Sequence, residues 1–148
     1  MFGVACGPYV DQRWFQPVVR EYTLAIGNEF LPMDGLVKVD ETGIEFIHDG
    51  SPPEVMRGRI VALGKRLFEL DGSTTEFETK HEFIDGMYIR RIFIPKGMLL
   101  IGKVHKLPCI NVVEKGDIAI LTESGAKRIK AGYTLGSPAG IQKVGLAN

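Results

Sequence analysis

A chain of 148 residues can form one domain with a hydrophobic core, and a composition of 45% hydrophobic and 24% charged residues excludes disorder over most of its length. Eighteen basic residues balance eighteen acidic ones, which excludes a general electrostatic attraction to nucleic acid or to an anionic membrane. The two cysteines, Cys6 and Cys109, are too few for a disulfide framework and favour a reducing compartment. Neither a membrane span nor a secretory leader is expected, so a membrane is not a predicted partner.

Residues 1–75 are predicted to form an N-terminal extension that supplies assembly contacts. Two segments, 35–39 and 43–47, carry β-branched and aromatic residues on either side of the polar triplet 40–42. This pattern is typical of a hairpin, because β-branched and aromatic side chains suit strands and polar residues suit the turn.

One amphipathic helix is predicted after the hairpin. Ser51 is expected to cap it, with Pro52 in the first helical position and Glu54 completing a capping box. Apolar residues then recur at helical spacing, at Met56, Ile60, Val61, Leu63, Leu67 and Phe68. A stop is expected at 71–72. We expect this helix to cover an open sheet face, and packing on a partner subunit is the alternative.

Residues 76–148 are predicted to form a β domain of short strands. Apolar or alternating segments occur at 87–94, 98–101, 110–113 and 118–121, with turns at 95–97, 115–117 and 123–125. Short strands at this pitch indicate a sandwich or barrel. Gly97, Gly116, Gly125 and Gly132 fall at the joints, where a positive φ favours glycine.

Two sets of residues at fixed sequence spacing, here called the motif frames, occur in this β domain. Gly97, Lys103, His105, Cys109 and Gly116 follow the spacing G-x5-K-x-H-x3-C-x6-G, and Gly132, Pro138, Gly140 and Lys143 follow G-x5-P-x-G-x2-K. The frames resemble the paired motifs of the cupin superfamily, G-x5-H-x-H-x3-4-E-x6-G and G-x5-P-x-G-x2-H-x3-N. The resemblance implies a mainly β, cupin-like jelly roll, or double-stranded β-sandwich, over residues 76–148. It also implies that Gly97, Gly116, Gly132, Pro138 and Gly140 are structural turn positions.

The metal ligands of the cupin motifs are mostly replaced in this chain. Carried over position by position, the two histidines of the first motif become Lys103 and His105, the glutamate becomes Cys109, and the histidine of the second motif becomes Lys143. A protonated amine has no lone pair for a metal, so no metal and no other cofactor is expected.

Three interpretations of these four positions stay open. In the first, His105 is satisfied by a neighbour, Cys109 packs as a small apolar residue and both lysines reach solvent. In the second, Lys103 and Lys143 bind an anion in place of the metal. In the third, His105 and Cys109 bind a metal together with an outside ligand such as His81 or Glu82.

Catalysis and nucleic-acid binding are not predicted. Cys109 and His105 lie four residues apart, and along a strand that offset decides the face rather than a contact, so no catalytic residue is expected. Lys127, Arg128 and Lys130 form a basic stretch without interleaved aromatic residues. We therefore expect this stretch to be a solvated edge rather than a nucleic-acid surface.

Within the cupin superfamily, the amino-acid sequence of residues 92–140 resembles that of small cupin-like proteins of tailed bacteriophages. The resemblance implies a non-enzymatic structural or assembly protein of the virion, in capsid decoration or a tail, located in the virion and in the host cytoplasm during assembly. Its expected partners are copies of itself and other virion proteins. The strand that normally follows the second motif is expected from the 35–47 hairpin or from another subunit. The alternative function is a small metal- or anion-dependent cupin enzyme acting on a sugar or organic acid.

Overall fold

A computed structural model of the protein describes residues 36–69 and 78–148 and, for the backbone alone, the strands at 2–8 and 18–21. These ranges contain twelve strands and one helix. The strands are β1 Phe2–Pro8, β2 Val18–Glu21, β3 Val37–Asp40, β4 Gly43–Phe46, β5 Thr79–Ile84, β6 Met87–Ile92, β7 Met98–Ile101, β8 Cys109–Val113, β9 Asp117–Thr122, β10 Gly125–Lys130, β11 Thr134–Ser137 and β12 Val144–Ala147, and the helix is α1 Pro53–Glu69. The prediction of a mainly β protein with one helix is confirmed.

The strands form two five-stranded antiparallel sheets and one hairpin. The front sheet has the order β11-β8-β1-β6-β5, and the back sheet has the order β10-β9-β12-β7-β2. Thus β1 lies between two strands of the predicted β domain, and β2 lies at an edge beside β7. The division of the chain at residue 75 stays a prediction.

The hairpin of β3 and β4 forms a two-stranded sheet of its own. The expectation that it adds the strand after the second motif is therefore wrong. Strand β12 already pairs with β7 on one side and β9 on the other, so it is an inner strand of the back sheet. Because both of its edges are paired, no further strand is needed beside it.

The back sheet is buried on both faces. In β9, Ile118 and Ile120 pack with Val113 of the front sheet, whereas Ala119 and Leu121 belong to the cluster beneath α1. The helix contributes four buried side chains to that cluster, Met56, Ile60, Leu63 and Leu67. The prediction that the helix covers a sheet face is confirmed, and these four of the six predicted apolar positions are buried. The predicted positions Val61 and Phe68 are 41% and 68% exposed, because their spacing places them outside the buried stripe.

The predicted capping box is wrong. The helix begins at Pro53, and the Ser51 hydroxyl donates a hydrogen bond to Asp49 Oδ1 at 2.6 Å. The Ser51 backbone N–H donates to the same oxygen at 3.0 Å. These bonds, with Arg59 close to the carboxylate, lower the pKa of Asp49 to about 2. The helix ends at Glu69, and the expected stop at 71–72 lies outside the described residues.

Several of the glycines predicted to lie in turns have a positive φ, a conformation that glycine adopts without strain. Gly97, Gly116, Gly132 and Gly140 have φ values of +83°, +90°, +89° and +84°. At these angles a Cβ atom would be strained, so glycine suits the turns. Gly125 begins β10 and is not among the positive-φ residues. Pro138 follows β11, in the segment that leads to β12.

Arg128 anchors the hairpin to the back sheet, which corrects the expectation of a solvated side chain for this residue, whereas Lys127 and Lys130 of the same stretch are exposed. Its guanidinium lies 2.8 Å from Asp117 Oδ2 on the neighbouring strand and donates to the hydroxyl and the carbonyl of Thr42 in the hairpin turn. The pairing of β9 with β10 brings Arg128 and Asp117 together, which residue spacing alone does not indicate.

Asn148 also ties the hairpin to the back sheet. The Ile44 N–H donates to Asn148 Oδ1 at 2.7 Å, and Asn148 Nδ2 donates to the Ile44 carbonyl at 3.0 Å. The amide therefore satisfies both backbone groups of one strand residue. The approach requires glycine at position 43, because a Cβ there would lie 2.6 Å from Asn148 Oδ1.

We expect the protein to lose stability at acid pH because the Arg128–Asp117 pair is lost there. Hydrogen bonds from Arg128 hold the pKa of Asp117 below its usual value. A carboxyl group with a depressed folded pKa stabilises the protein above its unfolded pKa, and this stabilisation is lost as the pH falls through the folded pKa. The urea concentration at the midpoint of unfolding, measured from pH 7 down to pH 2, should therefore decrease once the pH is below about 4, where an unfolded aspartate takes up its proton.

The Asp117→Asn variant should show a smaller fall over the same range, whereas Glu41→Gln in the exposed hairpin turn should show the full fall. A pH profile for Asp117→Asn that parallels the wild-type profile would contradict the role assigned to this pair.

Candidate functional site

Two loops bring three of the four ligand positions of the motif frames, His105, Cys109 and Lys143, together at one end of the sandwich. Residues 102–108 connect β7 to β8, and residues 138–143 connect β11 to β12. The Gly102 N–H donates to the Lys143 carbonyl at 3.0 Å, and the Gly140 N–H donates to the His105 carbonyl at 2.7 Å. These bonds continue the pairing of β7 with β12 into the loops. His105 and Lys143 are thereby held close to Cys109 at the start of β8.

Lys143 is partly buried, and its ammonium group contacts three neutral side chains. Its Nζ donates to Ser137 Oγ at 2.8 Å and to Asn111 Oδ1 at 3.3 Å, and lies 3.8 Å from Cys109 Sγ. Asn111 is 1% exposed, and its Nδ2 donates to Ser137 Oγ at 2.9 Å and to the Leu135 carbonyl at 3.3 Å. We name His105, Cys109, Asn111, Ser137 and Lys143 the polar cluster.

His105 and Cys109 are in contact, which corrects the expectation that their spacing decides only a face. His105 Nδ1 lies 3.3 Å from Cys109 Sγ. The expectation assumed one continuous strand, but His105 lies in the loop before β8, and the loop can turn the ring back onto the thiol. The register also pairs Cys109 directly with Cys6 of β1, although the two cysteines are far apart in sequence. The imidazole is therefore within hydrogen-bonding reach of the buried thiol.

A small cavity of about 60 Å³ lies between the two sheets beside the polar cluster. Its lining includes His105, Asn111 and Lys143 together with Arg90 of β6, which is 8% exposed. Lys103 does not line this cavity. Of the two predicted anion-binding lysines, the structure therefore places only Lys143 at the cavity.

Three residues of this region were missed by the sequence analysis, namely Arg90, Asn111 and Ser137. The sequence pattern did contain a signal for Arg90 and for Asn111. Arg90 alternates with Tyr88 and Ile92, so it occupies a position that faces the interior of the sandwich, and Asn111 interrupts an apolar run. Ser137 offered no such signal, because its role depends on the pairing of β11 with β8.

The proposed outside metal ligands lie on β5 and are engaged elsewhere. His81 Nδ1 lies 2.6 Å from the hydroxyl of buried Tyr88, and Glu82 Oε1 lies 2.8 Å from Arg91 Nη1. Within the described ranges, no group of three or more His, Cys, Asp or Glu residues could hold a metal ion. His105 and Cys109 therefore form a pair of potential ligands at most, as far as those ranges extend.

Comparisons with known proteins add no assignment, since neither a family model, nor a curated protein, nor a solved structure matches this chain. In the part of the chain that is described, no helix is long and apolar enough to cross a membrane.

Proposed function

We propose that the chain is a non-enzymatic, oligomeric protein of a bacteriophage particle, built on a degenerate cupin-like jelly roll and serving in capsid decoration or a tail. Two facing antiparallel sheets of five strands each support the jelly roll, as does the meeting of the two motif frames at one end of the sandwich. Three of the four ligand positions carry Lys or Cys in place of His or Glu, which supports a role other than metal-dependent catalysis.

The observation that carries the proposal is an exposed apolar patch on the outer face of the front sheet, beside the ion pairs of Arg91 with Glu82 and Glu114. Because side chains alternate along a strand, Met87 and Ile89 of β6 and Ile110 of β8 point away from the buried residues of the same strands. Ile84 of β5 pairs with Met87, and Ala5 of β1 pairs with both Ile89 and Ile110. We name Ile84, Met87, Ile89 and Ile110 the outer patch.

The two sheets differ in how their outer faces are covered. Helix α1 covers the back sheet, whereas Ile84, Met87 and Ile110 of the outer patch are each about half exposed, at 49%, 50% and 51%. Burial of apolar surface contributes roughly 25 cal/mol per Å², so a second copy of the chain placed on this face would gain stability. A symmetric contact of this kind suits a protein that assembles in many copies.

We expect Ile110→Lys to dissociate the oligomer, because association would bury an unpaired ammonium group. Sedimentation velocity at micromolar concentration should give an oligomer for the wild type and mostly monomer for the variant. Val61→Lys is the matched control, since Val61 is 41% exposed on the outer side of α1, away from the outer patch. Its sedimentation should equal that of the wild type.

A wild-type chain that sediments as a compact monomer at these concentrations would refute the assembly proposal. An oligomer that persists in Ile110→Lys would exclude the outer patch as the interface.

The second candidate is a small metal- or anion-dependent cupin enzyme acting on a sugar or organic acid. The observation that favours it is the imidazole–thiol pair of His105 and Cys109 beside an interior cavity. Elemental analysis of the purified protein separates the candidates. About one transition metal per chain, lost in His105→Ala, would favour the enzyme, because a catalytic metal bound here would need the imidazole of His105 as a ligand.

A further inference from the structure

We propose that the cavity between the two sheets binds a small oxyanion, a carboxylate or inorganic phosphate, through Arg90, His105 and Lys143. This site lies inside the sandwich and is separate from the outer patch, so it neither requires nor excludes assembly into a particle. It also differs from the pair of lysines suggested by the sequence, since Arg90 takes the place of Lys103.

The three nitrogen-bearing side chains approach the cavity from different elements. Arg90 belongs to β6 of the front sheet, whereas His105 and Lys143 come from the loops that extend β7 and β12 of the back sheet. In the front sheet, Val4 of β1 pairs with both Arg90 and Asn111, so these two lie two strand spacings apart, or roughly 10 Å. A long arginine side chain can span much of that separation toward the polar cluster.

The charge of the site favours an anion. Arg90 and Lys143 line the same cavity of about 60 Å³, so two cationic side chains border one small space. An anion placed between them would be attracted by both. Guanidinium and ammonium groups are the usual partners of carboxylate and phosphate oxygens, and the guanidinium can donate two parallel hydrogen bonds.

The site is also organised in advance. Ser137 and Asn111 hold the Lys143 ammonium by hydrogen bonds of 2.8 and 3.3 Å. Asn111 is in turn held by Ser137 and by the Leu135 carbonyl. A ligand that meets groups already held in place loses less binding energy to ordering them. Ile92, Ile118 and Ile120 contribute apolar side chains to the lining of the cavity.

The volume restricts the ligand to a small one. A cavity needs roughly 10–15 Å³ to hold a single water, so a cavity of about 60 Å³ has room only for a small ligand. Acetate and phosphate are of this size. Gly145 also lines the cavity, and a Cβ at this position would lie 3.1 Å from Ile118 Cδ1. Glycine therefore leaves open the space that a side chain would occupy.

The test is a titration of the full chain with sodium phosphate and, separately, sodium acetate, at fixed pH and with sodium chloride balancing the ionic strength. Binding is measured by isothermal titration calorimetry and by the midpoint of thermal unfolding. We expect a saturable signal with at least one anion and none with chloride, and the stronger signal identifies the class of ligand. Arg90→Met and Lys143→Met should each raise the dissociation constant roughly tenfold or more, the usual effect of losing a hydrogen bond to a charged group.

Two further variants control for misfolding and for surface charge. Gly145→Ala keeps every charged group but narrows the cavity, and it should weaken binding while circular dichroism shows a folded protein. Lys127→Met removes a surface ammonium that lies near Tyr133, outside the cavity, and should leave the dissociation constant unchanged. No saturable response of the wild-type chain to either anion would overturn the proposal. Equal affinity in the wild type, Arg90→Met and Lys143→Met would overturn it as well, because binding would then lie elsewhere.

Discussion

Replacing Leu63 by alanine should lower the free energy of unfolding by about 2–5 kcal/mol, the usual cost of removing a fully buried leucine side chain from a packed core. Leu63 is completely buried between α1 and the back sheet, in the cluster that contains Leu121 and Val144. Because the strands beneath it also pack on the front sheet, the surroundings have little freedom to collapse into the space left behind. Urea unfolding followed by circular dichroism should show a lower midpoint with an unchanged slope.

Val61→Ala is the matched control for this prediction. Val61 lies on the same helix but is 41% exposed, so the change should alter stability by no more than about 0.5 kcal/mol. If Leu63→Ala and Val61→Ala lowered the free energy of unfolding by equally small amounts, the packing of α1 on the back sheet would be refuted.

Asn111→Leu should destabilise the protein by about 3 kcal/mol, because each buried polar group left without its hydrogen bond costs about 1–3 kcal/mol. Asn111 bonds to Lys143, to Ser137 and to the Leu135 carbonyl, and leucine of similar size can replace none of these bonds. The loss should be largest for the Lys143 ammonium, since a charge held against an apolar side chain is the most costly of the three.

A double-mutant cycle separates this contact from the general cost of each change. Lys143→Met removes the ammonium, so Asn111→Leu made in that background should cost less than in the wild type, with a coupling of about 0.5–3 kcal/mol. Urea midpoints of the four proteins in phosphate-free chloride buffer supply the measurement. Strictly additive effects would mean that the hydrogen bond of 3.3 Å between the two side chains does not contribute to stability.

Local patterns were sufficient for most of the individual elements. The polar triplet 40–42 between two β-branched segments predicted the hairpin of β3 and β4, and alternating apolar residues predicted β6. The helical spacing of Met56, Ile60, Leu63 and Leu67 predicted the buried stripe of α1. Each of these features depends on residues within a few positions of one another, and for such short-range features sequence is informative.

The candidate site depended on contacts that no local pattern encodes. Arg90, Asn111 and Lys143 are separated by tens of residues and meet because β1 aligns β6 with β8 and because two loops continue the pairing of β7 with β12. The contact of His105 with Cys109 was misjudged for a related reason, since the loop before β8 bends where a continuous strand was assumed.

The sequence by itself determined the mainly β class with one helix, the position of that helix, four of its buried side chains and several turn glycines. Tertiary structure alone decided which charged side chains are partly or fully withdrawn from solvent. Arg128 was expected in solvent and is held against Asp117, and Lys143 lines an interior cavity whereas Lys103 does not. The physical reason is that a charge becomes stable in the interior only through partners from other strands, and the register of those strands is set by the burial of both sheets together.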